Sequence, residues 1–163
     1  MLTGDNLLFV LTLYATIGSG LMAGLFFIFS AGVMRALAQR PAHEGMAMMQ
    51  AINITIINPA FLTVFLGTAL ACVPILFFTF GQWDDPGASY AFVGSLLYLV
   101  GSLLITAVYH VPKNNALASV SPTTPDGASL WADYLTNWTV GNHIRTIITL
   151  VATLLFALAL SHH

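Results

Sequence analysis

Charge is what this sequence has least of. Its 163 residues include four Lys or Arg and six Asp or Glu, 6% charged residues in all. A soluble domain carries roughly 25%. So few charges cannot cover the surface of a soluble protein, and the sequence therefore demands lipid as its surroundings. A formal net charge of −2 leaves no basic surface for nucleic acid. Cysteine is nearly absent as well. Cys72 stands alone in an apolar run, which excludes an internal disulfide and a cysteine-built metal finger. It reads as a small buried hydrophobe. No internal repeat, low-complexity tract or second domain is visible, which argues against a transporter built from inverted repeats.

What is present is apolar: 58% of the residues are hydrophobic. Four stretches, about 7–34, 58–80, 90–111 and 138–160, read as membrane spans. The first lacks a basic flank and outruns the roughly 7–15 apolar residues of a signal peptide, so it is expected to remain as a span. Three spans carry small or polar residues at helical spacing. In the first these are Thr12, Thr16, Ser19, Ala23, Phe26 and Ser30, with Gly20 and Gly24 as a GxxxG pair nearby. In the third they are Ser95, Tyr98, Ser102, Thr106 and Tyr109, and in the last Asn142, Arg145, Thr146, Thr149 and Thr153. Such stripes let helices approach closely in lipid.

The predicted fold is all-α: a single integral membrane domain, a four-transmembrane-helix bundle with an additional helical extension at the cytoplasmic side, near Met46–Ile57. Asn58-Pro59 marks a kink. Trp83, in a turn, fits an interfacial anchor. Ala118–Ser129 reads as a polar connection, with the last helix beginning near Leu130. Arg35 and Arg40 fall between the first two spans, and Lys113 and Arg145 between the last two. The other side carries Asp5, Asp84 and Asp85 and no basic residue. The positive-inside rule then places both termini outside the cytoplasm, in the cell's inner membrane. No function is assigned to His162 and His163.

The informative stretch is Trp131–Thr146, WADYLTNWTVGNHIRT. The apolar run after it would span only about 21 Å as a helix, against a hydrocarbon core of roughly 30 Å. The helix must therefore start upstream, which puts Asn142, His143 and Arg145 at or inside the hydrocarbon boundary. Polar groups there are costly and mark function by default. The topology brings His43, Gln50, Asn53, His110, Asn114, Asn115 and Trp138 to the same membrane face. Glu44 and Asp133 are the nearest expected counter-ions for Arg145. The plainer alternative leaves His143 and Arg145 among lipid headgroups, with Trp138 as an anchor.

The pattern MQAIN…NP, then VPKNNAL, then WADYLTNWTVGNHIRT, resembles a family of small four-span membrane proteins that includes the fungal anthrone oxygenases. The resemblance runs from about Met48 to Thr146. It maps the family's motif residues onto Asn53, Asn114, Trp138, Asn142, His143 and Arg145. His110 stands before VP, where family members often carry Asn. The resemblance implies a membrane-embedded oxygenase acting on a lipophilic aromatic, such as an anthrone, phenol or quinol. Base-assisted enolate formation would precede reaction with dioxygen. In that scheme His143 is the base and Arg145 holds the enolate oxygen. Asn53, Asn114, Asn142 and His110 line the substrate, and Trp138 stacks on its ring. No cofactor is predicted. A metal variant would draw Cu or Fe to His43, His110 and His143, although no two of them have helical ligand spacing. The expected partners are the bilayer and a lipophilic small molecule, with a homo-oligomer left open. The other function class is a non-enzymatic small-molecule-binding or accessory membrane protein.

Overall fold

The computed structural model describes residues 4–162; His163 and the Asp5 side chain lie outside the described set. Helix α1 (Gly4–Ile28) runs through a π-helical stretch, Phe29–Val33, into α2 (Met34–Ala38). After a turn come α3 (Ala42–Thr55), α4 (Pro59–Thr79) and α5 (Pro86–Leu97). Helix α5 continues through two π-helical stretches, Tyr98–Leu104 and Thr106–His110, into α6 (Val111–Ala118). Helix α7 (Pro125–Leu160) closes the chain. No strand occurs among the described residues.

Three helices start by the same device. Asn58, Asp85 and Thr124 each accept a first-turn backbone N–H, from Phe61, Gly87 and Gly127 respectively. Each is followed by proline, whose missing N–H costs nothing at that position. The cap at Thr124 starts α7 earlier than the expected Leu130. The polar connection shrinks accordingly, and residues 125–129 are helical.

Among the described residues, four helical segments are long and apolar enough to cross a membrane: Asn6–Ala38, Pro59–Thr79, Pro86–Ala118 and Pro125–Leu160. They form an up-down bundle in which α1 packs on α4 and α7, and α5 packs on the same two. The fold is thus a four-helix membrane bundle. Along the spans large apolar side chains such as Leu70 and Phe77 are exposed, while Thr12, Ser19, Ser95, Ser102 and Thr149 are buried. Lipid, not water, is the surrounding that makes this arrangement favourable. The Gly20–Gly24 pair is not the contact point: a Cβ on Gly24 would meet nothing within 4 Å, whereas one on Gly18 would collide with Thr68.

The four columns differ in length. Helix α4, with 21 residues, spans about 32 Å, close to one hydrocarbon core; α7, with 36, spans about 54 Å. The three long columns therefore project beyond the start of α4, at the end bearing Arg35, Arg40 and Lys113. There α3 fills the fourth position. Met34, Leu37, Met46, Met49, Leu117, Trp131, Tyr134 and Trp138 form a second apolar core at this end. Gln50 fastens α3 to the end of α6, its Nε2 donating to the Leu117 and Val120 carbonyls at 2.8 and 3.0 Å. Between α3 and α4 the fourth column is broken at Ile56–Asn58. That break positions the site.

Candidate functional site

Behind the break lies a cavity of about 230 Å³. Its walls are apolar: Phe26 and Phe29 from the first column, Ile52 from α3, Ile56 from the break, Phe61 and Phe65 from α4. Exposed Ile57, Leu66 and Val111 lie at its margin, so the opening faces the bilayer side of the bundle. An apolar cavity of about 150 Å³ already accepts benzene. This one, open on one side, has room for a fused-ring aromatic. Its polar lining consists of Asn53, Thr106, His110, Asn114, Trp138 and Arg145.

Arg145 is the chemical centre. Its residue is 7% exposed, and its guanidinium sits over the Phe26 ring, with Cζ 3.7 Å from the centroid. Nη1 donates to Thr106 Oγ1 at 2.8 Å and Nη2 to Asn142 Oδ1 at 2.7 Å. Nε is buried without a hydrogen-bond partner. The expected counter-ions are elsewhere. Glu44 pairs with Arg40, the one ion pair among the described residues, and Asp133 accepts from Asn137. Arg145 is therefore a buried cation with no carboxylate partner among the described residues, inside α7 and not in a connection as the basic-residue count assumed. Such a charge is costly unless an anion or oxygen acceptor completes it.

His110 lies one turn along from Thr106. It is buried, and neither ring nitrogen has a hydrogen-bond partner. Trp138 meets it edge-on, with ring centroids 5.0 Å apart. The Gly141 backbone stands beside the imidazole; a Cβ there would come within 3.3 Å of His110 Cε1 and would collide with Tyr109 Cε1. Only glycine lets α7 approach the third column this closely. The π-winding ahead of Pro112 is where that column takes up a residue lacking an N–H.

Asn114 is oriented by its neighbours. Trp138 Nε1 can only donate, so the atom it meets at 2.9 Å is Asn114 Oδ1, which also accepts from the Tyr134 hydroxyl at 2.8 Å. The Asn114 amide nitrogen is left for the cavity. Asn53 Nδ2 is buried with no hydrogen-bond partner.

Five of the residues expected at the site thus line one cavity: Asn53, His110, Asn114, Trp138 and Arg145. Asn142 lies behind it. Its Nδ2 donates to the Phe26 carbonyl at 2.7 Å and to Ser30 Oγ at 2.8 Å, so no N–H remains for a ligand. Asn142 is a positioning residue. His143 is not brought to the cavity. It is exposed on the face of α7 that also presents Val140, Ile144 and Ile147. His43 is exposed beside Pro122–Pro125, so the three histidines do not converge. No cluster of three His, Cys, Asp or Glu occurs among the described residues. Thr106 and Phe26, which position the guanidinium, were not foreseen as site residues; both lay in the expected inward stripes.

The family profile described as anthrone oxygenase matches residues 53–155, more than half of the chain. The chain belongs to the anthrone oxygenase family. The segment matched to the anthrone oxygenases begins at Asn53 and extends past Arg145, so it contains every polar residue of the cavity lining. No curated protein shows significant similarity to the chain. Nor does any solved structure.

Proposed function

We propose that the protein is a membrane-embedded oxygenase that converts an anthrone-type aromatic to the corresponding quinone with dioxygen. The observation that carries this reading is Arg145, a desolvated cation without a carboxylate partner among the described residues, facing an apolar cavity beside an unpartnered imidazole. A neutral, fused-ring ketone partitions from lipid through the opening at Ile57 and Leu66. Its carbonyl oxygen meets the guanidinium. His110 removes a proton from the ring methylene, and the electron pair moves onto that oxygen as an enolate. A fixed positive charge in a dry site stabilises the enolate far more than water would. The electron-rich enolate then passes one electron to dioxygen, and the radical pair combines to form a C–O bond. The proton held on His110 completes a hydroperoxide. Loss of the second methylene proton with O–O cleavage releases water and leaves the new carbonyl. One anthrone and one O₂ thus give one quinone and one H₂O. Family membership supports the reaction class, and the cavity supports the residue roles.

The basic end, with Arg35, Arg40 and Lys113, is inferred to face the cytoplasm, leaving both termini outside it in the inner membrane.

The test is oxygen uptake by purified protein in lipid nanodiscs supplied with anthrone, with quinone absorbance followed in parallel. Uptake at one O₂ per quinone, well above the protein-free rate, is expected. In Arg145→Gln it falls roughly 10²–10³-fold, as for loss of an oxyanion donor. Wild-type uptake at the protein-free rate, or full uptake in Arg145→Gln, overturns the reading.

A further inference from the structure

The cavity's unspent hydrogen-bonding capacity is lopsided. Arg145 Nε and Asn53 Nδ2 are buried donors without partners, and the Asn114 amide nitrogen is left over once its oxygen has taken Trp138 and Tyr134. The Tyr134 hydroxyl stands within reach of a hydrogen bond from Asn53. Even one there would leave the second amide hydrogen of Asn53 free. Apart from the imidazole and the Asn53 amide oxygen, the open valences are donors, and they fall at two levels. Arg145 is tied to Thr106, while Asn114 lies two turns further along the same column, with His110 between them. Eight residues of α-helix rise about 12 Å, and π turns somewhat less.

We propose that Asn53 and Asn114 form a second oxygen-binding subsite, which receives the oxygen delivered to the substrate's reacting carbon. The inference rests on the oxygenase reading above. With the enolate oxygen at Arg145 and the methylene at His110, the carbon under attack faces the two amides. They donate to the peroxide as it forms and then to the new carbonyl. The spacing fits. Across a para-quinone ring the two oxygens lie about 5 Å apart. A hydrogen bond of about 3 Å at each end brings the donors to roughly the separation of the two levels. Deprotonation and enolate stabilisation do not need this subsite; capture of the second oxygen does. Asn53 is the cleaner probe, because Asn114 also holds Trp138 and Tyr134 in place.

The experiment measures binding of two unreactive tricyclic ketones by quenching of tryptophan fluorescence in nanodiscs. Anthraquinone carries a carbonyl at both positions. Thioxanthone has the same outline with sulfur, a weak acceptor, at the second. Wild-type protein is expected to bind anthraquinone about three- to tenfold tighter, the contribution of one neutral hydrogen bond. Asn53→Leu, similar in size, reduces that preference to what Asn114 alone supplies and leaves thioxanthone affinity unchanged, which also shows that the cavity is intact. Arg145→Gln weakens both ligands. Equal wild-type affinities overturn the subsite, as does an Asn53→Leu protein that keeps the preference undiminished or loses both ligands alike. If the subsite fails while oxygen uptake still depends on Arg145, the oxygenase reading stands alone. If neither ligand binds and no uptake occurs, both fall.

Discussion

Asn142 holds Arg145 in place and has no N–H left to donate to a ligand. Its oxygen accepts from Arg145 Nη2 at 2.7 Å, and its amide nitrogen bridges to the Phe26 carbonyl and Ser30 Oγ on the first column. The side chain therefore joins the cation to α1 across the bundle. Phe26 serves twice, as carbonyl acceptor for Asn142 and as the ring under the guanidinium. Asn142→Leu keeps the volume, strands Arg145 Nη2, and leaves Ser30 with Thr146 as its remaining side-chain partner. Interhelical hydrogen bonds in lipid are worth less than in isolation, so a loss of about 1–3 kcal/mol is expected. At roughly 2–4 °C per kcal/mol for a chain of this length, the melting temperature falls by several degrees. Oxygen uptake drops more than tenfold because the cation is no longer fixed. A variant with wild-type melting and wild-type uptake would show that Thr106 alone suffices to place Arg145.

Orientation in the membrane gives a second prediction. With Arg145 buried inside the bundle, the charge bias rests on Arg35, Arg40 and Lys113 at one end, against Asp84 and Asp85 at the other. Cys72 is fully buried and should not react, so single introduced cysteines report cleanly. In intact cells a membrane-impermeant maleimide is expected to label Asp84→Cys and to spare Ser119→Cys until the cells are opened. The reverse pattern would place the basic end outside.

The fold was legible because lipid leaves few choices. A chain this poor in charge must bury its polar stripes, and Thr12, Ser19, Ser95, Ser102 and Thr149 are all inside. The site was half legible. Arg145 and Asn142 were conspicuous as costly groups in an apolar helix. His143 drew attention by adjacency, yet at about 100° per residue it lies some 200° from Arg145, on the opposite face. His110 was harder to place, because the π turns around it shift the helical phase and leave no signature in composition. The start of α7 was readable and overlooked. Thr124-Pro125 repeats the cap-then-proline signal of Asn58-Pro59 and Asp85-Pro86. The counter-ions were misplaced because charge pairing was sought by topology, and Glu44 finds Arg40 four residues away on its own local turn.

Close approach at Gly141 gives a third prediction. A methyl group there would collide with Tyr109 Cε1, so the third column must move. Overpacking of this kind costs about 1–3 kcal/mol, and here it displaces the imidazole as well. Gly141→Ala is expected to lower both melting temperature and uptake. Gly24→Ala is the control: nothing lies within 4 Å, and replacing a mid-helix glycine stabilises by roughly 0.5–1 kcal/mol. Equal behaviour of the two variants would mean that the bundle tolerates a wider gap at His110.

The two histidines separate the cavity from the membrane surface as the seat of proton transfer. His110 is buried in the lining, with both nitrogens unspent, whereas His143 is exposed among apolar side chains on the outer face of α7. A base must come within hydrogen-bond reach of the proton it takes, directly or through one water. From the outer face His143 does not meet that condition. His110→Gln keeps a polar side chain of similar reach and removes the basic nitrogen. Its uptake with anthrone is expected to fall about 10²–10⁴-fold, the usual contribution of a general base, while thioxanthone affinity stays within a factor of two or so of wild type. His143→Leu extends the apolar face and should leave both uptake and affinity unchanged. If His143→Leu were inactive and His110→Gln active, the proton would be leaving on the lipid-facing side of α7. The cavity would then hold the ring without performing the deprotonation.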